Sequence, residues 1–101
     1  MDSVLRKNIT DEIQEELRIS KLYGFDFSRN LIEPILETYH KALNKEISEY
    51  FWTILIDREN RKTLFFIEED NLFGLGSIGS SNELIDLGYY GTLAELLLFI
   101  H

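Results

Sequence analysis

Six carboxylates, Glu68, Glu69, Asp70, Glu83, Asp86 and Glu95, lie in residues 63–101 without a single Lys or Arg. Residues 1–62 carry the other 12 acids and all 10 bases. Three-quarters of the net charge of −8 therefore falls in the last 39 residues. Such a region suits pairing with Arg or Lys on a partner, because opposite charge steers encounter and selects the partner surface. Two tyrosines, Tyr89 and Tyr90, stand between Gly88 and Gly91. Tyrosines give large contact area at modest entropic cost. Glu68, Glu69, Asp70, Asp86, Tyr89 and Tyr90 are the candidate partner-binding residues.

Other chemistries fit less well. Glu68-Glu69-Asp70 offers oxygen ligands to a hard metal, but neighbouring strand residues point to opposite faces. The spacing does not match a calcium loop either. The acidic loop at Asp57, Glu59 and Asn60 is neutralised by Arg58, Arg61 and Lys62. Gly74-Leu75-Gly76-Ser77-Ile78-Gly79 matches G-x-G-x-x-G, yet the nucleotide-binding version needs a full helix after it and a second parallel unit. Residues 80–88 are too short for that helix. A bulged, glycine-relieved strand is the simpler reading. His40 and His101 are the only histidines, and no cysteine accompanies them as a zinc ligand. No serine sits in a nucleophile elbow. The expectation is a non-enzymatic chain with no cofactor and no metal.

The elements that must position these residues follow from periodicity. Leu5, Ile9, Ile13 and Leu17 make one apolar stripe of a helix over residues 3–22, with Gly24 as its stop. Phe25–Ser28 reads as a link. Leu31, Ile32, Ile35, Leu36, Tyr39 and Leu43 suggest a second helix over residues 30–44, with Asn30 and Glu33 resembling a capping box and Pro34 in the first turn. Residues 47–57 and 63–68 alternate as strands of a hairpin, and residues 72–78 suggest a weaker third strand. Ser80 to Leu87 suggests a short helical turn. Thr92-Leu93-Ala94-Glu95 is a capping box opening a terminal helix over residues 93–101. Ile35, Leu36, Trp52, Ile54, Phe66, Leu93 and Leu97 are the expected core. The fold class is α+β: two N-terminal helices, a small antiparallel sheet of two to four strands, and a C-terminal helix.

Composition agrees with one domain of 101 residues. With 45% hydrophobic and 13% aromatic residues there is ample material for a core. The acidic balance argues against nucleic acid and anionic lipid as partners. The longest apolar stretches, residues 51–56 and 96–100, fall far short of the ~20 residues of a membrane span. The absence of cysteine and of an apolar leader points to the cytoplasm.

The stretch Tyr50-Phe51-Trp52-Thr53-Ile54-Leu55-Ile56-Asp57, with Phe65-Phe66-Ile67-Glu68-Glu69-Asp70 and the run Leu87-Gly88-Tyr89-Tyr90-Gly91-Thr92-Leu93-Ala94-Glu95-Leu96-Leu97, resembles small bacterial immunity proteins. The resemblance covers residues 50–97 and assigns no individual residue a role. It implies a cytosolic inhibitor that offers carboxylates to the basic active site of a toxin domain. Alternatives are a structural subunit or adaptor, such as a homodimer built on the terminal helix, and a small enzyme with an unrecognised site.

Overall fold

The structure, a computed structural model, describes residues 3–22 and 30–97, with side chains for residues 3–19 and 30–96. Helix α1 (Ser3–Leu22) is followed by strands β1 (Leu31–Lys41), β2 (Ser48–Asp57), β3 (Lys62–Ile67), β4 (Leu72–Ile78) and β5 (Leu84–Gly91), then by a short helix α2 (Leu93–Leu97). The chain is thus α+β. Consecutive strands pair antiparallel, and β1 returns to β5 to close a five-stranded barrel. That closing pair is parallel and brief, joining Tyr39–Lys41 to Leu84–Asp86.

Helix α1 forms as its stripe dictates. Ile9, Ile13 and Leu17 are buried and Leu5 packs beside them. The charged faces stay outside, where Arg18 pairs with Glu15 at 2.8 Å. Two further expectations for this region, the stop at Gly24 and the link Phe25–Ser28, lie outside the described residues.

The expected second helix is instead β1. Its apolar residues satisfy a helical stripe, but they also satisfy a strand, and two facts favour the strand. Pro34 removes one backbone donor. It sits where the β1–β2 register slips between Leu31 and Ile35, so the missing N–H falls in a bulge rather than a ladder. Moreover, β1 supplies the partner that β2 would otherwise lack and carries Tyr39 into the barrel. The expected helical turn after Ser80 is also a correction. Asn82 adopts φ 63°, and the Gly79 and Asn82 amides donate to Glu83 and Gly79 carbonyls, closing a tight turn that sends β5 back along β4. Tyr89 and Tyr90 therefore lie in a strand, not in a loop.

Side-chain alternation along β3 divides the apolar residues into two clusters. Phe65 and Ile67 join Tyr39 and Phe51 inside the barrel. Leu64 and Phe66 face outward with Ile54, Leu55, Phe73 and Leu75, where α1 and the α2 residues Leu93 and Leu96 cover them. Within the barrel the Phe51 and Phe65 rings stack with centroids 4.6 Å apart, and Tyr39 tilts against Phe65 at 4.5 Å. The Tyr39 hydroxyl hydrogen-bonds Thr53 Oγ1 at 2.7 Å and Thr63 Oγ1 at 3.2 Å. Burial pushes the Tyr39 phenol up to about 12.

Of the expected core, Ile54, Phe66 and Leu93 are buried and Trp52 is half-buried against them. Ile35 and Leu36 are corrections, at 50% and 51% exposed. As strand residues near the bulge they lie beyond the patch that α1 and α2 cover. The Leu97 side chain is outside the described residues.

Candidate functional site

The glycine motif resolves into packing. A Cβ on Gly74 would overlap the Phe65 ring, and one on Gly76 would overlap Thr63 Oγ1 and press on the Tyr39 ring. Both glycines make room for the aromatic filling of the barrel. No helix follows Gly79, because β5 does. The β4–β5 register slips between Gly74 and Gly76, as the bulged-strand reading expects. Gly88 lies in the extra loop of β5 at φ 83°, a conformation that suits glycine.

A groove of about 770 Å³ opens at the end of the barrel. Leu36 and Trp52 face each other across the β1–β2 ladder and form part of its floor. Tyr50, also lining it, is 71% exposed. Glu68, Glu69 and Asp70 come from the β3–β4 turn, Glu49 from β2 and Tyr90 from β5. Asn71 closes that turn at φ 53°, which asparagine tolerates better than most residues. Glu68 is held against the floor, where its Oε2 accepts a 3.1 Å bond from the Trp52 indole N–H. No Lys or Arg among the described residues pairs with Glu68, Glu69 or Asp70.

Among the described residues, one base lines the groove, Lys41. Its ammonium lies 2.7 Å from Asp86 Oδ2 and donates to the Tyr90 hydroxyl at 3.1 Å. Glu49 is farther away, at 3.9 Å. The same ammonium stands 5.8 Å from the centroids of the Phe51 and Tyr90 rings. Tyr90 donates to Asp86 Oδ2 at 2.6 Å, and the Gly88 amide donates to Asp86 Oδ1 at 2.8 Å. The hydrogen bond to Asp86 is the main reason the Lys41 ammonium holds its proton far above the ordinary lysine range. Burial, followed by the bond to Asp86, raises the Tyr90 phenol.

These facts limit what the site can do. A lysine fixed in its charged form lacks the lone pair that amine nucleophiles need. Among the described residues, no three His, Asp or Glu side chains converge as a metal site. His40 Nδ1 lies 3.0 Å from the Lys45 carbonyl oxygen in the β1–β2 connection. His101 is outside the described residues. Asp57 is buried and binds the Asn60 backbone and side-chain N–H groups, which makes it a turn residue.

The six carboxylates of the last third thus meet four fates. Glu68, Glu69 and Asp70 share the groove with Tyr90. Asp86 has no exposed side-chain surface and is neutralised by Lys41, so it positions Tyr90 rather than offering charge outward. Glu83 packs against Gly79 in the β4–β5 turn. Glu95 completes the α2 cap, where Thr92 Oγ1 bonds the Glu95 amide at 3.3 Å and Glu95 Oε1 at 3.0 Å. Tyr89, 59% exposed, lies outside the groove lining. Sequence reasoning missed Glu49, Leu36 and Tyr50. The alternation of β2 does hold a signal for Tyr50, whereas the apolar spacing makes Leu36 read as a core residue. No family model, curated protein or solved structure matches the chain.

Proposed function

We propose that this chain is a non-enzymatic protein-binding domain that covers a basic surface of a partner protein, as an immunity or inhibitor protein covers a toxin domain. One observation carries the reading. The groove joins an apolar floor, exposed at Leu36 and Tyr50 and half-buried at Trp52, to four carboxylates, Glu49, Glu68, Glu69 and Asp70, while Lys41, the one base that lines it among the described residues, is paired with Asp86. Apolar area supplies affinity, and Glu68, Glu69 and Asp70, which pair with no Lys or Arg among the described residues, supply steering and selectivity. The occupant is then a partner segment with Arg or Lys beside an aromatic or branched residue. Occlusion needs no bond making.

The test is a selection of displayed random peptides on the wild-type chain, counter-selected on the E68Q/E69Q/D70N variant. Enrichment of basic–apolar sequences that lose binding in the variant and at high salt supports the reading. Enrichment that ignores the three substitutions overturns it. A control with D11N, E12Q and E15Q on α1 removes the same charge elsewhere and should keep binding.

A second reading, self-association, draws on the β1–β2 connection, where Leu43 and Ile47 are exposed. Sedimentation across concentrations decides it.

A further inference from the structure

The groove has an inner and an outer face, and alternation along β2 separates them. Phe51 points into the barrel, so Tyr50 and Trp52 on either side of it point outward. Leu36 and Thr38 of β1 stand opposite Trp52 and Tyr50 in the ladder, and Phe66 of β3 stands opposite Trp52. Glu68, two residues beyond Phe66, continues on that outer face, in agreement with its 3.1 Å bond from the Trp52 indole N–H. The antiparallel direction of the β2–β3 pair carries Glu68 toward Tyr50. The inner face already holds a cation, since the Lys41 ammonium is bonded to Asp86 and stands over the Phe51 and Tyr90 rings. Those are the cation–ring contacts among the described residues, so the Tyr50 ring, on the outer face, has no Lys or Arg of the described chain over it. Glu68 is exposed, and one of its oxygens is fixed by the indole while Oε1 accepts no bond among the described residues.

We infer that the outer face of the groove is an arginine slot: a partner guanidinium stacks on the Tyr50 ring and donates to Glu68, while its aliphatic stem packs on Leu36 and Trp52. This rests on the protein-binding reading and names the residue that the groove selects. The chemistry of the slot favours arginine over lysine. A guanidinium is planar and weakly hydrated, and it stacks on an aromatic face with its N–H groups still directed sideways. A carboxylate beside the ring receives those N–H groups as charge-assisted bonds. A lysine ammonium is a compact, strongly hydrated point charge that cannot stack and bond in this way at once. The indole bond orients Glu68 before the partner arrives, which lowers the ordering cost of binding. The same charge disfavours a second copy of this chain as occupant, because each copy carries −8.

The experiment selects two displayed peptide libraries of one design on the intact chain, one with Arg as its only base and the other with Lys. The Arg library should supply the enriched binders, and changing that Arg to Lys in the synthetic peptide should weaken binding by roughly tenfold. Tyr50→Leu keeps an apolar side chain at an exposed position and should bring the Arg and Lys peptides to within about twofold of each other. Glu68→Gln keeps an acceptor for the Trp52 N–H, removes the charge, and should weaken the Arg peptide by roughly tenfold. The indole N–H resonance of Trp52, the only tryptophan, should shift when the Arg peptide is added. If peptides depend on Glu68–Asp70 but Lys serves as well as Arg, or the Arg preference survives in Tyr50→Leu, or the Trp52 resonance stays in place, the arginine slot is overturned and the protein-binding reading stands. If no peptide from either library depends on Glu68–Asp70, both fall.

Discussion

The inside of the barrel and its rim use similar side chains to opposite ends. Inside, polar groups are paired: Tyr39 with Thr53 and Thr63, and Asp86 with Lys41, Tyr90 and the Gly88 amide. At the rim, Glu68, Glu69 and Asp70 crowd onto one turn and pair with no Lys or Arg among the described residues. Burying a charge demands a partner, because an unpaired charge in a low-dielectric site is costly. An exposed carboxylate is solvated and makes no such demand. The difference teaches that acidity has a different use in these two regions, structural at Asp86 and available at Glu68–Asp70.

The largest expected effect comes from breaking the inner pair. Asp86→Ala strands the Lys41 ammonium and removes the acceptor of Tyr90 and Gly88. The expected cost is about 3 kcal/mol in urea unfolding, at the low end for a buried pair because Lys41 is partly exposed. A cost within the error of the extrapolation would erase the distinction between the two regions.

Alkaline titration is the next test. The Tyr39 phenol is raised in the folded state from 10.0 to about 12. A raised folded pKa gives stability that is complete below the unfolded value and lost as pH climbs through the folded one. Stability should therefore fall by about 2–3 kcal/mol between roughly pH 10 and pH 12. Lys41, raised in the same direction, adds to the fall. Tyr39→Phe should flatten the profile and cost about 1 kcal/mol at neutral pH, since Thr53 and Thr63 lose their common partner. An unchanged profile in that variant would place the titration elsewhere.

Thr92→Ala removes the α2 cap and should cost about 1 kcal/mol, read as a lower thermal midpoint. At the rim, the triple change E68Q/E69Q/D70N should alter stability by less than about 0.5 kcal/mol. Its effect should appear in binding alone. A large loss of stability there would mean the turn is structural and would sharpen the comparison against the rim.

Much of the fold was legible in the sequence. The α1 stripe, the β2–β3 hairpin, β4 and the Thr92–Glu95 box all depend on neighbours a few residues apart, so local spacing reveals them. β1 was not legible. Leu31, Ile32, Ile35, Leu36 and Tyr39 satisfy both periods, and only the need to pair β2 and fill the barrel with Tyr39 decides between them. β5 was hidden for a similar reason, since the turn at Asn82 depends on a conformation that no spacing announces. Of the candidate site, Glu68, Glu69, Asp70 and Tyr90 do meet, whereas Asp86 is turned inward and Tyr89 stands outside the groove.

The sequence by itself determined that residues 63–101 carry six carboxylates and no base, because that is a matter of counting. Only the tertiary structure decided which of them face outward. A parallel β1–β5 pairing sets Lys41 opposite Asp86, 45 residues apart in the chain, and so removes that acid from the surface. Charge is a property of residues, but its availability depends on what the fold places within a few ångströms.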